Sequence, residues 1–252
     1  GASLATAMTV PVAHALGGWH AGLAVWGAVA ALAVLPWILL RSHDRKRKSA
    51  QVAATDIRPG RTRLGWALAL FFGTQSLNAY VIMSWLPRLY RDAGFSAQTS
   101  GLLVAGVMVL GVPMSLLVPA VASKFSDHRI IALIINACYG LGFVGLLIAP
   151  LEGALLWTLL LGIGQGTFPL VMTMIGLRSR TAAGTVALSA FAQSTGYLLA
   201  ATGPIFVGML YSRTHTWLLP LLFLVAVVLI QSVAGLVAGR PRFLEDACVT
   251  HR

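Results

Sequence analysis

Acidic side chains are scarce in this chain: seven Asp and Glu against 18 Lys and Arg in 252 residues. Asp44, Asp56, Asp92, Asp127, Glu152, Glu245 and Asp246 all fall between long apolar runs or in the C-terminal tail. No Lys, Arg or His sits deep in those runs either. Carboxylates placed within a membrane are the usual proton relays, so this stretch supplies no relay, and it neutralises no charged solute by direct ion pairing. Total charge is also low, at 10% of residues, where a water-soluble domain carries about 25%. That excludes an ordinary soluble fold and makes lipid the solvent. Cysteine is nearly absent: Cys138 lies in an apolar run and Cys248 in the tail. With no Cys-x-x-Cys pair and no Cys/His cluster, neither a disulfide scaffold nor a metal centre is expected. The six histidines are scattered in or near loops and read as solvated or interfacial.

Other absences narrow the function. The glycine-rich Gly162-Ile-Gly-Gln-Gly166 follows no strand pattern and has no lysine, so it is not a phosphate loop. No cofactor is expected, and ATP is not the energy source. The net charge of +11 comes without aromatic and basic residues interleaved, which excludes a nucleic-acid stripe. Serines are plentiful, but no His lies at membrane depth to activate one, so the chain is read as a non-enzyme. The chain opens Gly1-Ala-Ser-Leu, with neither methionine nor a basic n-region, and reads as starting inside an apolar segment.

What the chain has is length without charge. Hydrophobic residues make up 58%, with a mean hydropathy of +0.83. Apolar segments recur at 1–16, 19–40, 64–87, 99–122, 130–149, 154–177, 184–210 and 216–239. All but the first reach the roughly 20 residues that a helical span needs. They are uniformly apolar rather than alternating, which excludes barrel strands. The expected fold is therefore all-α and integral to the membrane, with seven full spans after one short segment.

Lys and Arg orient the spans. With the 41–63 connector on the cytoplasmic side, strict alternation puts 15 of the 18 basic residues there, and only Arg88, Arg91 and Arg213 opposite. A single miscounted helix would scramble that bias. The organisation read from it is four-part: 1–40 closes a first bundle, 41–63 is a basic inter-bundle loop, 64–239 is a six-helix bundle, and 240–252 is a cytoplasmic tail. Six helices after a basic loop is the layout of the second half of a six-plus-six transporter.

Gly73-Thr-Gln-Ser-Leu-Asn-Ala-Tyr80, Ser84-Trp-Leu-Pro87 and Ala93-Gly-Phe-Ser-Ala-Gln-Thr-Ser-Gly-Leu-Leu103 resemble the cyanate/nitroimidazole transporter-like branch of the major facilitator superfamily. Gly1-Ala-Ser-Leu-Ala-Thr-Ala7 and Gly17-Gly-Trp-His-Ala-Gly-Leu-Ala-Val-Trp26 look like the fifth and sixth helices of such proteins. The resemblance covers nearly the whole chain and implies a truncated superfamily fold, with part of helix 5, helix 6 and the complete second bundle. It further implies alternating-access transport of a small polar or anionic organic solute, cyanate- or nitroimidazole-like, across the cytoplasmic (inner) membrane. The partners implied are that solute, the lipid bilayer and the missing N-terminal helices, without which the 252-residue chain is expected to be inactive. A non-transporting membrane scaffold or sensor is the alternative, with an intramembrane enzyme behind it. Ala122-Ser-Lys-Phe-Ser-Asp-His-Arg129 occupies the place of the superfamily's Asp-Arg loop, but lacks both of its glycines. Asp127 and Arg129 read either as a gating latch or as an ordinary topogenic loop.

The substrate site is expected at mid-membrane, where uncharged polar residues cluster. Gln75, Asn78, Gln165, Gln193 and Tyr197 all lie near the midpoints of their segments. Thr74, Gln75, Asn78 and Trp85 share one helical face; Ser76, Tyr80 and Ser84 share the other. The amide-and-indole face is taken to line the cavity and the hydroxyl face to pack helices. Ser189, Gln193 and Tyr197 form a stripe spaced by four. Pro113, Pro119, Pro169 and Pro204 are expected to kink or break their spans.

Overall fold

The computed structural model describes residues 12, 18–40 and 58–249. The chain divides into two compact units, Gly1–Thr55 and Asp56–Arg252. Of the first unit, the main described element is α1 (Trp19–Leu40), which carries Pro36. Apart from Val12, the leading 1–16 segment lies outside the described residues, as do the basic residues Arg41 to Lys48.

The second unit is a helical bundle. It runs α2 (Arg63–Asp92), α3 (Ala97–Ala122), α4 (Arg129–Ile148), α5 (Ala154–Gly164), α6 (Thr167–Leu177), α7 (Ala182–Thr214), α8 (Leu218–Ala238) and the short α9 (Leu244–Val249). Each apolar segment expected from residue 19 onward is a helix, with α5 and α6 together filling the 154–177 span. Among the described residues, five helices are long and apolar enough to cross a membrane: α2, α3, α4, α5 with α6, and α8. The 33-residue α7 is long enough, but Ser189, Gln193, Ser194 and Thr202 make it less apolar.

Helix starts follow local chemistry. Thr62, Ser96 and Thr181 each accept a hydrogen bond from the backbone N–H three residues on, at 3.0, 3.1 and 3.0 Å. Each satisfies a donor that has no partner in the first helical turn. At α7 this is reinforced from the tail. Glu245 Oε1 in α9 accepts from the Ser179 hydroxyl (2.6 Å), from the Arg180 and Thr181 amides (3.0 and 3.2 Å) and from the Thr181 hydroxyl (3.1 Å). A carboxylate at that position also complements the helix dipole. Leu244 beside it is fully buried, so this part of the expected tail is a docked helix.

The prolines do not set the break. Pro87, Pro113, Pro119 and Pro204 lie inside continuous helices. Among the described residues, the one interruption within an expected span falls between α5 and α6, where the ladder tightens and the Gly166 amide donates to Ile163 O at 2.9 Å. Pro169 sits in the first turn of α6, where its missing N–H costs little. Glycine at the break has a packing reason of its own: the Tyr139 ring occupies the space a β-carbon on Gly164 would fill.

α2 is the central element, packed most extensively on α7 and next on α8. Two apolar clusters run along the bundle. One gathers Leu68, Phe71, Leu170, Met174 and Leu188; the other gathers Tyr90, Tyr139, Phe143, Leu161 and Leu224. Outward-facing Leu102, Leu116, Ile130, Ile148, Leu155 and Leu198 are exposed, as a lipid-facing surface requires. Lipid is as apolar as leucine, so close backbone approach must hold the helices together. Gly73 and Gly196 supply it: a β-carbon on Gly73 would stand 3.0 Å from Gly196 Cα, and one on Gly196 would stand 2.6 Å from the Phe72 ring. Gly196→Ala should therefore destabilise the detergent-solubilised protein by about 1–3 kcal/mol through overpacking, read as a lowered Tm. An unchanged Tm would show that α2 and α7 have slack at this contact.

Candidate functional site

Three helices of the second unit converge on an open face. Phe72 of α2 is buried. The Tyr197 ring of α7 meets it edge-on at 5.0 Å, and Phe168 of α6 lies tilted against it at 6.1 Å. Tyr197 itself is 43% exposed, and Tyr80 on α2 is 42% exposed. Next to Tyr197 along α7, Gln193 is half-buried and donates to Ser189 Oγ at 2.5 Å. Gln165, at the α5–α6 break, is half-buried, and its buried amide nitrogen has no hydrogen-bond partner. This face thus presents the exposed Tyr80, Phe168 and Tyr197 side chains, with the buried, unpaired Gln165 amide nitrogen behind it.

Gln75 and Asn78 are not on it. They are 1% and 0% exposed, enclosed within the bundle. Asn78 Nδ2 donates to Gln231 Oε1 of α8 (3.0 Å), and Gln231 Nε2 donates to Asn136 Oδ1 of α4 (2.8 Å). Asn136 Nδ2 donates to Ser232 Oγ (3.2 Å), and Thr167 of α6 donates its hydroxyl to Asn136 Oδ1 (3.3 Å). The amide chain therefore ties α2, α4, α6 and α8 together. Gln75 Nε2 donates to Ser76 Oγ at 2.8 Å, and the oxygens Gln75 Oε1 and Asn78 Oδ1 have no partner. On α2, the side chains that open outward at this depth are Tyr80, Met83 and Ser84; of the face the helical period had assigned to packing, Tyr80 and Ser84 open outward while Ser76 is buried. Gln231, Asn136 and Thr167 went unremarked in the sequence, although a lone amide in an otherwise apolar run is itself a signal.

Trp85 belongs to a different place. Its indole N–H donates to the Pro204 carbonyl at 3.0 Å, and its ring packs with Tyr211 and Trp217. Those two donate to Asp92 Oδ2 at 2.7 and 3.0 Å, and the Arg88 guanidinium lies over Tyr211. Beneath Trp85, a wholly apolar cavity of about 20 Å³ is lined by Val81, Ile82, Phe143, Trp217 and Leu224. That is room for about one water, not for a solute.

At the opposite end, the loops gather around a buried arginine. Arg178, just past α6, is 3% exposed. Its Nη2 points at the Gly239 carbonyl (2.8 Å), the Ser126 carbonyl (3.1 Å) and His128 Nδ1 (2.6 Å), and its Nε donates to the Ala238 carbonyl (3.3 Å). His128 is fully buried, contrary to the expectation of a solvated or interfacial ring. Its Nε2 lies 3.0 Å from the Ala122 carbonyl. Asp127 and Arg129 close on each other instead. Arg129 Nε and Nη2 reach the Asp127 carboxylate at 2.9 and 2.6 Å, with both side chains exposed. The Arg129 hydrogen bonds hold the Asp127 carboxyl down at about 2. Among the described residues, no group of three or more His, Cys, Asp or Glu could hold a metal.

The family model of the major facilitator superfamily matches residues 1–204. The chain belongs to that superfamily. It is 36% identical over 96% of its length to the 2-nitroimidazole transporter of Escherichia coli, covering 62% of that protein. An uncharacterised transporter of Bacillus subtilis, YycB, is also 36% identical over 96% of the chain, with 61% of its own length covered. The cyanate transport protein CynX of Escherichia coli is 31% identical over 80% of the chain and 52% of its own length. The chain thus spans about three fifths of the length of its first curated relatives, and those relatives are transporters rather than enzymes. As a superfamily member with several apolar helices, it is a multi-pass membrane protein.

Within this superfamily bundle, the two charged features of the Arg178 end should differ in weight. Arg178→Met leaves several carbonyls unpaired and should cost at least about 2 kcal/mol. Asp127→Asn removes an exposed pair worth under about 1 kcal/mol. The Asp127 contribution is present above the ordinary carboxylate range and is lost only as pH falls through about 2, so it does not vary between pH 5 and 8. Thermal melts of both variants across that range check the ranking.

Proposed function

We propose that the second unit is the solute-contacting second bundle of a secondary transporter, with 64–239 as its body and 1–40 as the end of a first bundle. In this reading the 41–63 connector and the 240–252 tail are cytoplasmic, and the membrane is the cytoplasmic one. The bundle moves a small, planar, polar or anionic organic solute by alternating access. Compounds of the kind named for its relatives, 2-nitroimidazole and cyanate, are the first candidates.

The observation that carries this reading is the open face of Phe168, Tyr80 and Tyr197, seated on buried Phe72, with the unpaired Gln165 amide nitrogen one helical turn before Phe168. Aromatic planes favour a flat solute. Phenolic hydroxyls and an amide N–H donate to nitro, cyanate or carboxylate acceptors. A buried donor with no partner costs about 1–3 kcal/mol, and a solute acceptor removes that cost on binding. Gln193 extends the same edge along α7. Gln75 acts through Ser76, and Asn78 fixes α2 from inside; both position the face rather than touch the solute. Trp85 closes the Asp92 end. No described residue of the face is charged, so net coupling charge comes from helices opposite it. Those helices are part of the proposal: a first bundle covers the face, and function requires it.

The test is uptake of 2-nitroimidazole by the membrane-embedded protein at matched expression. Gln165→Leu and Tyr197→Phe should each raise KM about tenfold, the loss expected for one hydrogen bond to a ligand at about 1.4 kcal/mol. Unchanged KM in both variants would remove the open face from solute binding.

A further inference from the structure

His128 is set so that only its neutral form fits. The Ala122 carbonyl beside Nε2 can only accept, so Nε2 carries the hydrogen. The Arg178 guanidinium beside Nδ1 can only donate, so Nδ1 is an unprotonated acceptor. One imidazole tautomer meets both demands; the imidazolium still donates to the Ala122 carbonyl but has no acceptor for Arg178. A proton on Nδ1 would point at the Arg178 N–H group at 2.6 Å, and would place a second cation against a buried one.

The surroundings offer little relief. Asp127, next in the chain, is the nearest carboxylate, but the Arg129 guanidinium occupies it in a bidentate pair. The end of α6 presents Arg178, the end of α3 the Ala122 carbonyl, and the end of α8 the Ala238 and Gly239 carbonyls. The His128 backbone is itself held, its amide donating to Gly239 O at 3.0 Å. Lys124, the other charge of the loop, is exposed. Burial and the Arg178 charge both hold the imidazole below its ordinary value.

The geometry points to a proton-operated latch: neutral His128 docks residues 123–128 onto Arg178, and its protonation at Nδ1 releases that loop from the ends of α6 and α8. The site binds a proton, at the end of the bundle remote from Asp92, and it stands whether or not the open face binds solute. The sign follows from linkage. The docked loop holds the proton more weakly than the released one. Docking is therefore complete above the ordinary imidazole value of about 6.5, and is lost as pH falls through the lowered one.

Ala122→Cys, whose side chain is buried where the docked loop begins, reports release in the membrane-embedded protein through its labelling rate with a maleimide. His128→Gln supplies the same acceptor and donor without titrating, and serves as the reference at each pH, which cancels the reactivity of the thiol itself. The rate ratio of the His128 protein to the His128→Gln protein should be about one at pH 7.5 and rise at least threefold at pH 5.5. His128→Lys should label fast at both. A ratio that stays at one throughout overturns the latch, as does slow labelling of His128→Lys at pH 7.5. Amide hydrogen exchange over 122–128 in the unmodified protein, corrected for the intrinsic rate at each pH, needs no substitution. It should lose protection below pH 6.5, and undiminished protection at pH 5.5 contradicts the proposal.

Discussion

An amide side chain in hydrocarbon has no water to turn to, and leaving it unpaired costs several kcal/mol. Asn78 donates to Gln231 and Gln231 to Asn136, whose Oδ1 also accepts from Thr167, so the chain joins four helices. Turning Asn78, Gln231 or Asn136 away leaves a buried amide unpaired. That constraint fixes the rotation of α2, α4, α6 and α8 about their axes, and everything outward of them follows. Once Asn78 faces inward, the 3.6-residue period turns Tyr80 and Ser84 outward. Once Asn136 is held, Tyr139 on the same helix fills the space beside Gly164, where α5 gives way to α6.

The ends of the bundle are tied by different means. At one end Arg178 collects loop carbonyls and a neutral histidine out of reach of solvent. At the other, Asp92 accepts from Tyr211 and Trp217 while still exposed. Both hubs join segments distant in sequence, so each makes a group of loops respond as a unit. A bundle that rocks as one body needs a rigid interior and ends that can be held or let go. The amide chain provides the first, and the Arg178 cluster is the better placed for the second. The open face between α2, α6 and α7 lies apart from the amide chain and is the proposed place of solute contact.

Much of the fold was legible in the sequence because membrane solvent imposes it. Long uncharged runs marked the apolar helices. Thr62, Ser96 and Thr181 also stand at helix starts. The site was less legible, for a geometric reason. Helical period groups Gln75 with Asn78 and Ser76 with Tyr80, but it does not say which group faces the bundle interior. That depends on partners 95 and 153 residues apart along the chain: Asn136 paired with Gln231, and Gln231 paired with Asn78. His128 illustrates the same limit. Its position in a loop argued for water, whereas the Arg178 guanidinium, 50 residues on, draws it inside. Proline was a poor guide to helix breaks because a membrane helix absorbs it; the glycine against Tyr139 was the better one.

The central claim is that the amide face of α2 is structural and its hydroxyl face is open to the solute path. A single-cysteine scan of residues 72–84 in the membrane-embedded protein tests it most directly, read as labelling by a small water-soluble thiol reagent. The account predicts reaction at Tyr80, Met83 and Ser84, slowed by 2-nitroimidazole, and none at Gln75, Ser76, Asn78 or Ile82. Labelling at Gln75 and Asn78 with protection by solute, and silence at Tyr80 and Ser84, would contradict it.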